Sequence, residues 1–307
     1  MIVTKTPKIG SILQYVGHPL LAMLAWDVLI VVAYKVLHWE WVGSKSVPLA
    51  LYGAAVSIIV GFRNNYAYAR WWEARNLWGQ IVNRSRTLAR QVVTTMSPLP
   101  ENGVEEGIEV MTMQRKIVHY QIAFVHALRQ QLRGLDPVAE IRDLLPIEEA
   151  SELSKEKNVS LALQRKMGAM LREARSRCWI NDWEWQALDQ SMVALMDSQG
   201  GAERIKNTPL PKQYDFFPRL FVQIYCLMLP MGMVESMGWF TPLGSTVVGF
   251  MFLALDKIGR DLEDPFDNKM YDIALTAITK TIEINLLQLL GETALPAPEA
   301  PVQEVLW

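Results

Sequence analysis

Four stretches of this chain are nearly free of charge, and they come in two pairs. The first runs from His18 to Trp39, HPLLAMLAWDVLIVVAYKVLHW, interrupted only by Asp27 and Lys35. The second begins at Val47 as VPLALYGAAVSIIVGF and continues as RNNYAYARWWEARNLWGQ, with no Pro or turn cluster between the halves. Its uncharged half spans about 24 Å as a helix, close to the ~30 Å hydrocarbon core of a bilayer. The pattern predicts one long helix, Val47 to Gly79, that starts in a membrane and leaves it. Ala54, Ile58, Phe62 and Tyr66 recur every four residues and share one face of that helix. The second pair is Phe216 to Phe240, broken by Pro230, and Thr241 to Arg260, with Glu235, Asp256 and Lys257 at or near the ends.

Between the pairs, from Ile81 to Gln213, the pattern changes to apolar positions at helical spacing among charges. Met111 to Gly134 carries Ile117, Tyr120, Phe124, Val125, Leu128 and Leu132, which predicts a partly buried amphipathic helix in water. Asp136–Pro137 and Pro146 mark turns around short capped helices. A helix follows from Asn158, and another begins near Asp182 and stops at Gly200–Gly201. Ile205 to Phe217 reads as a Pro-bearing return loop. After the last apolar run comes a helix from Met270 to Gly291, then the Pro- and Ala-rich arm LPAPEAPVQEVLW. At the other end, Thr4 to Lys8 reads as a loop, Ile9 to Val16 as an amphipathic lead-in, and Pro19 as a first-turn proline. The implied division is a cytosolic segment 1–17, membrane helices 18–80, a cytosolic helical region 81–215, membrane helices 216–260, a cytosolic helix 261–292 and a tail 293–307.

Composition fits a chain divided between lipid and water. Half of the 307 residues are apolar, 20% are charged and the mean hydropathy is +0.10. The net charge of −2 leaves no footprint for nucleic acid. Cys178 and Cys226 form no C-x-x-C pair and read as isolated thiols in a reducing compartment. The N-terminus lacks a signal-peptide layout. Arg63, Arg70 and Arg75 follow the second apolar run, Lys257 and Arg260 follow the fourth, and the 38–46 link carries only Lys45. The positive-inside bias therefore places the large block and both termini in the cytoplasm.

Little in the chain points to catalysis. His119 and His126 share a helix face but are seven apart, with no thiolate or carboxylate ligand close in sequence, so they read as core or exposed histidines. No phosphate-binding, dinucleotide, nucleophile-elbow or zinc-protease motif occurs. We expect no enzyme activity, no metal and no cofactor. Asp27, Lys35 and Glu235 read as helix-pairing charges, and Trp71 and Trp72 as packing. Asn64 and Asn65 either assist dehydrating ions or bridge helices; both readings stand. From periodicity alone Ile58 and Phe62 are ordinary packing residues.

Three motifs change that weighting. RWWEARNLWG at Arg70–Gly79, ERIKNTPLP at Glu203–Pro211 and DPF at Asp264–Phe266 together resemble the bestrophin family, and its bacterial branch in particular. The first opposes the TRWWNQYENL-type run of animal members and the third their NPF. The resemblance covers roughly residues 15–290. It implies an all-α polytopic membrane protein with about four transmembrane helices per chain, assembled as a homopentamer around a central pore in a bacterial inner membrane. Its partners would be itself, membrane lipid and monovalent ions, with no nucleic acid. Counting back from RWW places the neck of the pore on Phe62, Ile58 and Ala54, and the small Ala54 widens its outer end. An R-x-R anchor, Arg175 and Arg177, places the cytosolic aperture at Ile180; counting back from Met192 selects Trp183 instead. Animal members carry a calcium clasp on an acidic run after NPF. Here the run is DPFDNKMYD, which keeps Asp264, Asp267 and Asp272 but is sparse, so calcium gating is not expected. Asp182, Glu184 and Asp189 after Ile180 lean the expectation toward sodium or potassium. A chloride channel of the same fold is the alternative, ahead of a secondary transporter or a membrane-anchored scaffold.

Overall fold

The computed structural model describes Met1 and residues 9–43, 48–98 and 103–307, with side chains from Tyr15 onward in the first helix. The loop expected over Thr4–Lys8, together with Lys45 and Val47, lies outside the described residues. Nine α-helices occur among the described residues: α1 Ile9–Lys35, α2 Leu49–Thr95, α3 Gly103–Arg133, α4 Ile147–Leu153, α5 Val159–Ser176, α6 Asp182–Asn207, α7 Lys212–Met237, α8 Thr241–Glu263 and α9 Leu275–Leu289. The chain divides into two compact units. One comprises residues 9–71 and Pro209–Asp264; the other comprises Trp72–Thr208 and Pro265–Trp307, with Met1.

The first unit holds α1, the leading half of α2, α7 and α8. Its core gathers Met23, Val56, Val60, Val222, Tyr225 and Leu229. Two apolar stretches among the described residues are long enough to cross a bilayer, Tyr15–Lys35 and Lys212–Glu263. The second contains α7, a 3-10 turn at Gly238–Phe240, and α8. Gly238 takes φ +53°, a conformation that glycine adopts without steric cost. The apolar half of α2, from Leu49 to Phe62, is shorter, about 21 Å of helix. Asp27 is fully buried in α1, and the hydroxyls of Ser245 and Thr246 donate to it at 2.9 and 3.1 Å. As expected, this charge faces a neighbouring helix rather than lipid.

Two prolines and a glycine pair behave differently from the sequence expectation. Pro19 lies well inside α1, which begins ten residues earlier, at Ile9. Pro218 and Pro230 lie inside α7, so neither breaks it. Each proline removes one helical N–H bond; in α7 packing on neighbouring helices carries the axis through, since Pro218 and Pro230 are both buried, whereas Pro19 is exposed. The Gly200–Gly201 pair does not end α6, which continues to Asn207. Gly201 is there for space: a Cβ would sit 2.8 Å from Leu77 Cδ2 on α2.

The second unit is built around α3. From Ile117 to Leu128 nearly every residue of α3 is buried, including the polar Gln121 and His126. The helix is the hub of its unit, with α5, α6 and α9 packed against it, while its stretch over residues 111–116 keeps exposed positions. Gly134, at φ +70°, follows its last turn. α6 starts with a capping box: Asn181 Oδ1 accepts from the amides of Trp183 and Glu184, and Glu184 accepts from the Asn181 amide at 2.8 Å. α9 begins at Leu275, five residues later than its pattern suggests. The tail is not a free arm at its end. Val305 is buried, and the amide of Ala277 in α9 donates to the Trp307 carbonyl at 2.7 Å.

Candidate functional site

Along α2 within the first unit, two stripes separate cleanly. Val56, Val60, Arg63 and Ala67 turn inward and are buried. Ala54, Ile58, Phe62 and Tyr66 turn outward; Ile58 is 60% exposed and Phe62 63%. The inner stripe is held close. Gly53 lets the Tyr225 hydroxyl of α7 approach to 2.6 Å of where a Cβ would sit. An exposed Phe and Ile on a helix whose opposite face is fully packed are free to meet something outside the protomer.

The two asparagines separate. Asn64 Nδ2 donates to the Leu255 carbonyl of α8 at 2.8 Å, so its amide bridges helices. Asn65 is exposed beside the outer stripe. Arg63, which the sequence suggested as a boundary cation, is 1% exposed. Its Nη1 donates to the Asp256 carbonyl at 2.8 Å and to Asp256 Oδ1 at 3.0 Å, and its Nη2 to Asp215 Oδ1 at 2.6 Å. Arg260 closes the group on Asp256 Oδ2 at 3.0 Å. Two cations and two carboxylates therefore balance in one cluster whose inner pair, Arg63 and Asp256, is buried. Nothing in the local sequence linked Arg63 to acids about 150 and 190 residues away.

The turn between α5 and α6 carries the other predicted site. Ile180 is buried at 3% exposure within its own unit, whereas Trp183 projects outward at 81%. The reason lies in the cap: Asn181 turns the chain into α6, pointing Ile180 back toward the core and Trp183, in the first turn, away from it. The acids that favoured cations are largely committed to this turn. Asp182 pairs with Arg175 Nε at 2.6 Å and Glu184 closes the capping box; Asp189 is exposed.

The region after α8 differs from a calcium clasp. Asp267 is held between Lys206 at 2.7 Å and Lys269 at 2.9 Å. Although burial works against its charge, these two lysines hold its carboxyl below the usual range. Asp272 Oδ2 accepts from the Lys269 amide at 2.9 Å. Among the described residues no group of three or more His, Cys, Asp or Glu side chains is arranged to hold a metal ion.

His126 is where sequence reasoning missed its partners. Its Nδ1 faces Glu140 and its Nε2 faces Glu283, each at 3.1 Å. Arg129 also meets Glu140, and Lys280 meets Glu283 at 3.0 Å. The carboxylates lie on opposite sides of the ring, so they clamp the imidazole rather than converge on a metal. Both come from segments remote in sequence. Burial is the main cause that lowers Arg129 to about 10, with Arg133 adding to it.

The class defined by this geometry is an all-helical protein with bilayer-length apolar helices and an outward apolar stripe on a long helix. Residues 5–288 match the model of the bacterial/fungal bestrophin proteins, and the chain belongs to that family. It is similar to the voltage-dependent anion channel-forming protein YneE of Salmonella typhi, 32% identical over 292 residues, covering 95% of this chain and 92% of the relative. It is also similar to the voltage-dependent anion channel-forming protein mll4386 of Mesorhizobium japonicum, 35% identical over 80% of this chain and 75% of the relative. The crystal structure of a bacterial bestrophin homologue from Klebsiella pneumoniae superposes with a TM-score of 0.81 at 32% identity, covering 89% of this chain and 97% of that one.

Proposed function

We propose that this protein is a passive ion channel of the bacterial inner membrane, formed by five copies of the chain around one axis. Each copy crosses the membrane about four times, through α1, the first half of α2, α7 and α8, and keeps both termini in the cytoplasm. The observation that carries the reading is the outward stripe of α2. Ala54, Ile58 and Phe62 are presented at the surface of a protomer whose inner face is complete, so symmetry-related copies supply the missing side of a path. A ring of such side chains forms an apolar neck that gates by wetting and dewetting, without a fixed charge. Asn65 lies at the end of that neck.

The cytosolic aperture falls at the turn between α5 and α6. Trp183 is the side chain that reaches outward there, and Ile180 shapes the turn from within the core. Small monovalent ions pass. For their sign, anions have the better support: the relatives are named as anion channel-forming proteins, and two of the three acids that argued for sodium or potassium are engaged in local structure. Calcium gating of the animal kind is not expected, because Asp267 is already neutralised by two lysines.

Purified protein in planar bilayers under asymmetric salt tests the reading. Currents that reverse near the chloride equilibrium potential support the anion channel; reversal near the sodium or potassium potential rejects it in favour of the cation alternative. Saturating flux coupled to a second ion points instead to a transporter, and no conductance at all points to a scaffold.

A further inference from the structure

We propose that Arg63 is the positioning residue of the neck: with Asp256, Asp215 and Asn64 it locks the rotation of α2 about its own axis, and so decides that Phe62 faces outward. The proposal rests on the reading of the α2 stripe as a pore neck.

Most contacts on the inner stripe of α2 are non-directional. Val56 and Val60 pack among Val222, Tyr225, Cys226 and Leu229, and aliphatic packing of this kind tolerates a helix that turns by some tens of degrees. Successive residues of a helix are about 100° apart, so a modest rotation would carry Phe62 toward the α7–α8 face. Hydrogen bonds resist such a rotation, because they weaken steeply with angle. Beside the neck stripe, four directional bonds from α2 to its neighbours come from two adjacent residues, and two turns further on Arg70 Nε adds one to the Glu263 carbonyl at 2.7 Å. Arg63 makes three, to the Asp256 carbonyl, the Asp256 carboxylate and the Asp215 carboxylate, and Asn64 makes one, to the Leu255 carbonyl. The planar guanidinium forks between α7 and α8, so it fixes both distance and azimuth. The lock sits one residue from Phe62, about 100° around the helix from it.

Gly259 of α8 completes the device. A Cβ at that position would overlap Asn64 Oδ1 and lie 3.0 Å from Arg63 Nη1. The two helices therefore come together there only because residue 259 has no side chain. Asp215 and Arg260 are each 37% exposed, whereas Arg63 and Asp256 are buried.

Open probability in single-channel recordings is the readout, taken for R63Q, D215N and G259A in the native chain and again in an F62A background. D215N is the mild variant, since its carboxylate is partly solvated; G259A wedges the same contact without altering a charge. If Arg63 acts through Phe62, each variant changes open probability by roughly twofold or more in the native background and adds nothing once Phe62 is Ala, the non-additivity expected of coupled residues. Restoration of native opening by R63K, which keeps the charge but not the fork, overturns the geometric part of the argument. Effects that add fully to that of F62A, or variants that leave opening unchanged while F62A alters it, overturn the proposal and leave the neck reading intact. F62A without effect on a conducting protein removes the neck reading, and this proposal with it.

Discussion

Asp272 offers a prediction whose size follows from the structure. The residue is buried in the segment between α8 and α9. One carboxylate oxygen accepts the Lys269 amide, and the other is buried with no hydrogen-bond partner among the described residues. Burial pushes its carboxyl up to about 6 from an ordinary 3.8; the Lys269 amide and charge and the Asp267 backbone pull against that rise, and the Asp267 charge adds to it. Between those two values the folded state keeps a proton that the unfolded chain has released. Asp272 therefore loses stability for the fold as pH rises from about 4 to about 6, and the loss is complete above about 7. A rise of this size corresponds to about 3 kcal/mol at most, and to roughly half that where solvent screens the local charges. Asp272→Asn keeps the amide acceptor and removes the titration. Thermal unfolding of the detergent-solubilised protein, followed by Trp fluorescence from pH 4 to 8, should show the variant gaining on the native protein across that window. The gap should reach about 1.5–3 kcal/mol at pH 7.5, a shift of several degrees. A gap of equal size at pH 4 and pH 7.5 would show that the buried carboxylate is not titrating as argued.

Other outcomes follow from the same geometry. Ile58→Ala and Phe62→Ala should change channel opening more than ion preference, since neither side chain carries charge; unaltered single-channel currents in both would place the path elsewhere. Ile180→Ala should cost about 2–4 kcal/mol of stability in denaturant unfolding, as a buried aliphatic truncation does, whereas Trp183→Ala should leave stability nearly unchanged and alter unitary conductance. Asn181→Ala removes the capping box of α6 and should cost about 1 kcal/mol in the same unfolding measurement. Opening should stay flat as calcium is raised through the micromolar range in bilayer recordings.

Much of this molecule is legible from its residues in order. The apolar runs, the unbroken passage from Leu49 into the Trp-rich half of α2, and the four-residue recurrence of Ala54, Ile58 and Phe62 are properties of local spacing. Helix periodicity converts such spacing directly into faces. The same local rules misjudged Pro19, Pro230 and Gly200–Gly201. The cost of a proline or glycine in a helix is a few kcal/mol at most; packing against neighbours outweighs it at the buried Pro230 and at Gly201 beside Leu77, while Pro19 and Gly200 are exposed. Spacing was equally silent on which face of α2 is satisfied. Val56, Ile58 and Val60 are alike as side chains, and only the helices drawn up against α2 make two of them core and leave the third outside. Ile180 and Trp183 show the same limit, because the Asn181 cap sends one inward and the other out. The paired charges were the least visible: Arg63 with Asp215 and Asp256, and His126 with Glu140 and Glu283, join residues scattered along the chain. Their meeting is set by the fold of the whole backbone, since a buried charge needs a partner wherever the tertiary structure brings one.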